Sequence, residues 1–461
     1  MHTADRAAGH AEATSDEVAK RDRPEGLHHL TAVQLAQLVA AREVSATDVV
    51  AAHLEHLDEV NPRLNAFTLI DADGALRAAG ALDATLRHRF SRPGSLAGVP
   101  FVVKDNIDVS GQVTACGSLA HDGALAAMDA PVVRRLVDRG AILLGRANMD
   151  ELAMGASTQT SAYGPTRNPV DPRRSPGGSS GGCAAAVAAH VTPIAVGTDT
   201  GGSIREPASQ CGVVGMASSP GLVPMYGVAP FARGLDRAGP LARNIGDTRA
   251  ALSAMAGGLT PASPVRQVGV IRELLSERNR PDVLEPFRAW LDVLARHGVE
   301  VCEVSVPDAP HALDAYMVLT SVAALEWLAP WVRTGRAGEE LTRRHEYAEQ
   351  VRDADPGALQ QADERRRRLT AQMRDALRRC PVLVSPTMPT TAPLLHGEVS
   401  AEDLADPLAA PYTDCWTVVA NLTGLPALSV PAPTTGLPTG AMLMGSPGTD
   451  AALLQLAGRC G

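Results

Sequence analysis

Apolar positions recur at helical spacing in LTAVQLAQLVAARE and again in SATDVVAAHLEHLDEV, with polar residues on the opposite faces. Ser45 with Asp48 resembles a capping box that opens the second helix, and Pro62 is expected to stop it. The run VPFVV before Lys104 is apolar and β-branched, which predicts a buried strand. PVVRRLVDRG then reads as a helix closed by Gly140, and AILLG as a strand. Helix and apolar strand alternating in this way predict an α/β layered fold with a largely parallel sheet.

Further strands are expected in PIAVGTDTGG, in VLVSPTMPTTAP, where prolines break it, and after the turn in NLTGLPALSVPAP. Residues from about 260 to 380 read as a variable helical region rich in Arg, Glu and Asp, with Trp290, Trp327 and Trp331. Residues 1–26 are polar and read as a flexible extension. Residues 27–461 show neither repeat nor linker and read as one large domain.

Composition narrows the function classes. A net charge of −9 and the lack of a basic stripe argue against direct nucleic-acid binding. The one basic run, Arg365 to Arg368, reads as a solvated helix face. The seven cysteines are scattered, without a CxxC pair or a Cys/His cluster, so no disulfide framework and no metal site is expected. Thiols in a reducing cytoplasm fit that usage. The amino terminus has no apolar signal region, and no run of about 18 apolar residues is read as a membrane span.

The lysines change the picture. The chain uses Arg almost throughout and has only two lysines, Lys20 in the polar tail and Lys104 at the end of the apolar run. Arg keeps its charge, whereas a desolvated Lys can shed its proton and act as a base. The bland alternative is an ion pair between Lys104 and its neighbour Asp105.

Two glycine loops supply the rest of the chemistry. PGGSSGGCAAAVAAH runs from a Gly/Ser loop into a small-residue helix, and Asp199-Thr200-Gly201-Gly202-Ser203-Ile204-Arg205 follows a strand. Consecutive glycines let N–H groups converge on one point, as an oxyanion hole requires, with Ser203 placed to attack. None of the thirteen histidines lies in these loops, and His190 reads as the end of the alanine-rich helix. Lys104 is the remaining candidate base, and a second hydroxyl, from Ser179 or Ser180, would bridge it to Ser203.

The combination VVKDNID, PGGSSGG and GTDTGGSIREPASQCGVVG resembles the amidase signature family, with the family's intervals between Lys104, Ser179 and Ser203. The likeness extends from about residue 30 to the carboxyl terminus outside the variable region. It implies a single α/β/α layered domain around a large twisted mixed sheet. It also implies a Ser-Ser-Lys triad: Lys104 as base, Ser179 as bridging residue after a cis peptide bond, and Ser203 as nucleophile. The N–H groups of Thr200, Gly201, Gly202 and Ser203 would form the oxyanion hole, and Asp199 and Arg205 would pair to stiffen the loop. The implied reaction is amide hydrolysis without a cofactor. The expected partner is a small-molecule amide, with a homodimer as the candidate assembly and no membrane.

Within the family, NMDELAMGASTQTSAYGPTRNP and GVAPFARGLDRAGP are similar to the glutamyl-tRNA amidotransferase branch, in its amidase-type component. That branch implies Asp414 as a contact for a substrate amine and Arg366 or Arg367 for a carboxylate. Ser180 and Met154 complete the expected substrate contacts. Departures from the branch lie at Met216 to Gly221 and at Glu206. Glu206, Pro220 and Met225 favour an apolar or weakly cationic substrate group and a stand-alone amidase. The alternatives are a glutaminase-type component that supplies ammonia to a complex, and an acyltransferase.

Overall fold

The structure is a computed structural model that describes residues 26–88, 91–354, 356–396 and 416–459. The expected extension, apart from Gly26, and Asp414 lie outside the described residues.

The sheet has eleven strands: β1 Phe67–Ile70, β2 Pro100–Lys104, β3 Ile142–Ala147, β4 Ile194–Asp199, β5 Val214–Ala217, β6 Arg237–Ala242, β7 Gln267–Ile271, β8 Glu300–Val304, β9 Val382–Pro386, β10 Ala427–Pro431 and β11 Gly440–Gly445. Their order is β1-β3-β2-β4-β6-β5-β10-β11-β9-β7-β8. β2 pairs in parallel with β3 and β4, and β7 with β8 and β9. The middle of the sheet is antiparallel, from β4/β6 through β5, β10 and β11 to β9.

The sheet is therefore mixed, as the resemblance implies, and less parallel than helix–strand alternation alone predicts. The difference arises where strands follow one another without a crossover helix, as β10 and β11 do across the short connection 432–439. A second difference lies in the variable region. QVGVI and EVCEV form β7 and β8, which extend the sheet to one edge.

Both faces are covered by helices. Phe101, Val103, Ile194, Val196, Leu428 and Leu443 face the main apolar cluster under helices Ala32–Ala41, Ala46–Leu64 and Pro281–Arg296. Val102, Ala195 and Leu241 point the other way, onto the small-residue helix Gly181–Ala188. Each such side chain contributes about 1.5–3 kcal/mol when fully buried.

The Ser45 cap forms, its hydroxyl accepting from Asp48 N at 2.9 Å. Pro62 does not end its helix, which continues to Leu64 and stops at Asn65 in the left-handed conformation. A proline in the last turn forfeits one hydrogen bond, so the final residues stay helical. The segment Ala309–Val332 is long and apolar enough for a membrane span by length and composition, contrary to the sequence expectation. Its residues Tyr316, Ala324 and Leu328 pack into the apolar cluster around Met149 and Trp416, the burial of a core helix.

Candidate active site

Lys104 ends β2, and strand alternation sends it to the face that Val102 shares with the small-residue helix. It is fully buried. Its Nζ lies 2.7 Å from Ser179 Oγ, 2.9 Å from Thr198 Oγ1 and 3.4 Å from Thr198 O. Asp105 does not pair with it. The Asp105 carboxylate takes Arg146 Nε at 2.7 Å and Gly117 N at 3.0 Å. With no paired carboxylate, burial dominates and pushes the Lys104 amine down to about 8, although Cys183, Asp150 and Asp199 pull it up.

The first glycine loop is shaped by close approaches. A Cβ on Gly178 would run into the Asp150 carboxylate and the Ser157 N–H, and one on Gly181 into Thr158 Oγ1. Asp150 in turn accepts from Ser157 N at 3.0 Å and Thr158 N at 2.8 Å. The Gly178–Ser179 peptide is cis. The Ser179 carbonyl accepts from Asp150 N at 3.3 Å, and its hydroxyl is left facing Lys104.

Ser180 behaves differently from its neighbour. Its Oγ donates to Thr198 O at 3.0 Å and accepts from Thr198 N at 3.3 Å, while its N–H donates to Ser203 O at 3.1 Å. The hydroxyl is buried and engaged, so Ser180 ties the two loops together rather than reaching substrate.

The second loop is clamped from three sides. Thr200 Oγ1 donates to Asp236 Oδ1 at 2.7 Å. A Cβ on Gly201 would fall 2.5 Å from the Tyr316 ring, and one on Gly202 would strike Thr417 Oγ1. Arg205 Nη2 donates to Asp199 Oδ1 at 2.8 Å and Nε to Oδ2 at 3.0 Å, both residues fully buried. Asn421 Nδ2 also donates to Asp199 Oδ1 at 2.8 Å. Burial would raise the Asp199 carboxyl, but Arg205 and Asn421 hold it below the usual carboxylate range. Loss of either member would strand a buried charge, at a cost of about 3–5 kcal/mol.

Ser203 is partly exposed at the head of this loop. Among the described residues, the N–H groups of Gly201, Gly202 and Ser203 have no hydrogen-bond acceptor. The arrangement thus offers an amine neutral for part of the time, a buried hydroxyl against it, a partly exposed serine and unspent N–H donors. The buried thiol of Cys183 is pushed up to about 12 and stays protonated beside them.

Met154 is buried in the apolar cluster that also holds Tyr316 and Phe231. Arg366 and Arg367 do not reach that cluster: Arg366 Nε donates to Leu422 O at 2.9 Å, and Arg367 pairs with Asp363 at the surface. Glu206 is buried, accepting from Gln210 Nε2 at 3.3 Å, and does not point to solvent. Pro220 is exposed, and Met225 packs against the main apolar cluster on the other face of the sheet. The Met216–Gly221 stretch is anchored by Ser219, which donates from its N–H and hydroxyl to Asp450. Its side chains therefore do not build a substrate wall as the sequence suggested.

One residue escaped the sequence reading. Arg344 is 6% exposed, and no described carboxylate pairs with it. Its guanidinium lies 4.9 Å over the Phe231 ring, and Nη2 donates to Thr320 Oγ1 at 3.2 Å. Thr320 donates to Tyr316 O at 2.7 Å, one turn from the ring that covers Gly201. The signal was its spacing. Leu341, Arg344, Ala348 and Val351 are the buried stripe of helix Glu339–Ala354, so an arginine occupies an apolar position.

The amidase family profile matches residues 48–454, and the chain belongs to the amidase family. It is 40% identical over 465 residues to the amidase-type component of the glutamyl-tRNA(Gln) amidotransferase of Acidothermus cellulolyticus, covering 90% of each chain. A crystal structure of an amidase superposes with a TM-score of 0.84 at 31% identity, covering 93% of this chain and 99% of that one. The corresponding glutamyl-tRNA(Gln) amidotransferase component of Thermotoga maritima gives a TM-score of 0.76 at 30% identity, covering 94% of each.

Proposed function

We propose that this chain hydrolyses a carboxamide through an acyl-enzyme on Ser203. The observation that carries the reading is the buried Lys104 amine, 2.7 Å from Ser179 Oγ and without a paired carboxylate. The neutral amine takes the Ser179 proton as Ser179 takes that of Ser203, and Ser203 Oγ attacks the amide carbon. The oxyanion is received by the free N–H groups of Gly201, Gly202 and Ser203. The protonated amine then returns its proton through Ser179 to the leaving nitrogen, and water releases the acyl group by the same route in reverse. No step calls for a cofactor. The reducing cytoplasm suits the free thiols of Cys116, Cys183 and Cys211.

For the substrate, Arg344 favours an acyl group that carries a carboxylate. A buried guanidinium without a counter-ion is costly unless an anion reaches it. This reverses the preference for an apolar or cationic group, whose support in Pro220 and Met225 faces elsewhere. A glutamine-type amide fits. With it fits the second reading, a component that supplies ammonia to a complex, which the amidotransferase relatives favour.

The test is an amide panel on the purified chain, with glutamine and a neutral aryl carboxamide, assayed for released ammonia or amine against Ser203→Ala. Added hydroxylamine would reveal acyl transfer. Glutamine turnover lost in Ser203→Ala is expected. Turnover of the neutral amide alone would overturn the substrate assignment, and activity surviving in Ser203→Ala would overturn the nucleophile.

A further inference from the structure

We infer that Asn106 is a positioning residue that aims the lone pair of Lys104 at Ser179, an inference that rests on the Lys104–Ser179–Ser203 relay proposed above. Asn106 lies two residues beyond Lys104 and is buried. Its main chain is fixed, its carbonyl accepting from Ala229 N at 2.8 Å. Its Nδ2 donates to Thr198 Oγ1 at 3.1 Å, the same oxygen that lies 2.9 Å from Lys104 Nζ.

That shared oxygen decides which way protons point. A threonine hydroxyl has two acceptor positions and one proton. With Asn106 in one position and a Lys104 N–H in the other, the hydroxyl proton is turned away from the amine. A neutral amine has two protons and one lone pair. Its protons have Thr198 Oγ1 and Thr198 O as acceptors, which leaves the lone pair for Ser179 Oγ.

Without the Asn106 donor, the Thr198 hydroxyl is free to rotate and donate to the Lys104 lone pair. The base would then be occupied by a hydroxyl that leads nowhere. The Asn106 carbonyl supports a role beyond packing. Its Oδ1 is buried and has no hydrogen-bond partner among the described residues. An orphaned buried carbonyl is unfavourable for folding, so the amide is not explained by stability alone.

The experiment measures the rate at which a fluorophosphonate probe labels Ser203 from pH 6 to 10, with the site located by mass spectrometry. Wild type, Asn106→Ala, Thr198→Val and the double variant are compared. Asn106→Ala is expected to slow labelling about 10–100-fold, part of the usual contribution of general-base catalysis. In the Thr198→Val background, where no hydroxyl can quench the amine, Asn106→Ala should cost less than about 3-fold.

The near-isosteric Asn106→Asp guards against misfolding. Its carboxylate would hold the amine protonated and move the acid limb up by about a unit or more, with labelling recovering towards pH 10. Asp150, Asp199, Cys116 and Cys183, the other ionisable groups acting on Lys104, are unchanged in these variants. Additive losses, or a wild-type pH profile in both Asn106 variants, would overturn the inference while leaving the relay intact. A probe that labels a serine other than Ser203 in wild type would instead overturn the relay itself.

Discussion

Asp105 turns its carboxylate to Arg146, 2.7 Å away, and not to the lysine that precedes it in the chain. Two consecutive residues at the end of one strand point to opposite faces, so the obvious ion pair cannot form. Lys104 is thereby left to the effect of burial, which brings its amine to about 8. Activity should rise with pH and reach half its maximum near 8, since about a tenth of such an amine is neutral at pH 7. Lys104→Arg should lose several orders of magnitude in kcat/KM. An arginine variant that keeps more than about a tenth of the rate would make Lys104 a structural residue.

The same burial makes a prediction about stability. The folded amine titrates near 8, below its ordinary value of 10.5, so the unfolded chain binds more protons between those values. The penalty is full below pH 8 and is relieved as pH rises towards 10.5. At about 1.4 kcal/mol per unit it is on the order of 3 kcal/mol. Lys104→Met should therefore unfold at a higher denaturant midpoint at pH 7 while being inactive, with the advantage shrinking near pH 10. A variant less stable than wild type at pH 7 would contradict this.

Acid should act through His53. This residue is buried in helix Ala46–Leu64, its Nδ1 2.8 Å from Val191 O, and burial pushes it down to about 3. A folded value depressed below 6.5 favours the neutral ring, so its contribution is present above 6.5 and lost towards 3. Urea melts should lose about 1 kcal/mol per pH unit from this group below pH 6.5. His53→Gln should flatten that slope. An unchanged slope in the variant would assign acid sensitivity to other groups.

Arg344 is predicted to act on binding. Arg344→Met fits the apolar stripe of its helix and should fold. KM for a carboxylate-bearing amide should rise about 100-fold, the value of one charged hydrogen bond in a buried site. A neutral aryl amide should be unaffected or bound more tightly. Equal effects on both amides would mean that the arginine only supports the helix.

What the sequence could reveal follows the range of the interactions. Lys104, Ser179 and Ser203 sit in short stretches whose glycines and apolar neighbours announce a strand end and two tight loops, and the structure brings Lys104 and Ser179 into contact. Tyr316 and Arg344 come from helices more than a hundred residues away, and nothing near Gly201 indicates which side chain will lie across it. Ser180 looked equivalent to Ser179, and only the Thr198 backbone separates their roles. The two edge strands β7 and β8 were hidden because QVGVI and EVCEV are short and lie among charged helices. Met225 was misplaced for a related reason, since composition gives no hint of which face of the sheet a side chain will join.

Lys104 and Ser179 have no surface of their own, whereas Ser203 does. Bulk solvent and substrate therefore share one doorway. A substrate seated at Ser203 stands between the amine and outside water, so the proton that Lys104 gains is held in escrow until the leaving nitrogen claims it. Only when the acyl group departs does the base regain contact with the medium, and the enzyme's clock resets from the same opening through which it was wound.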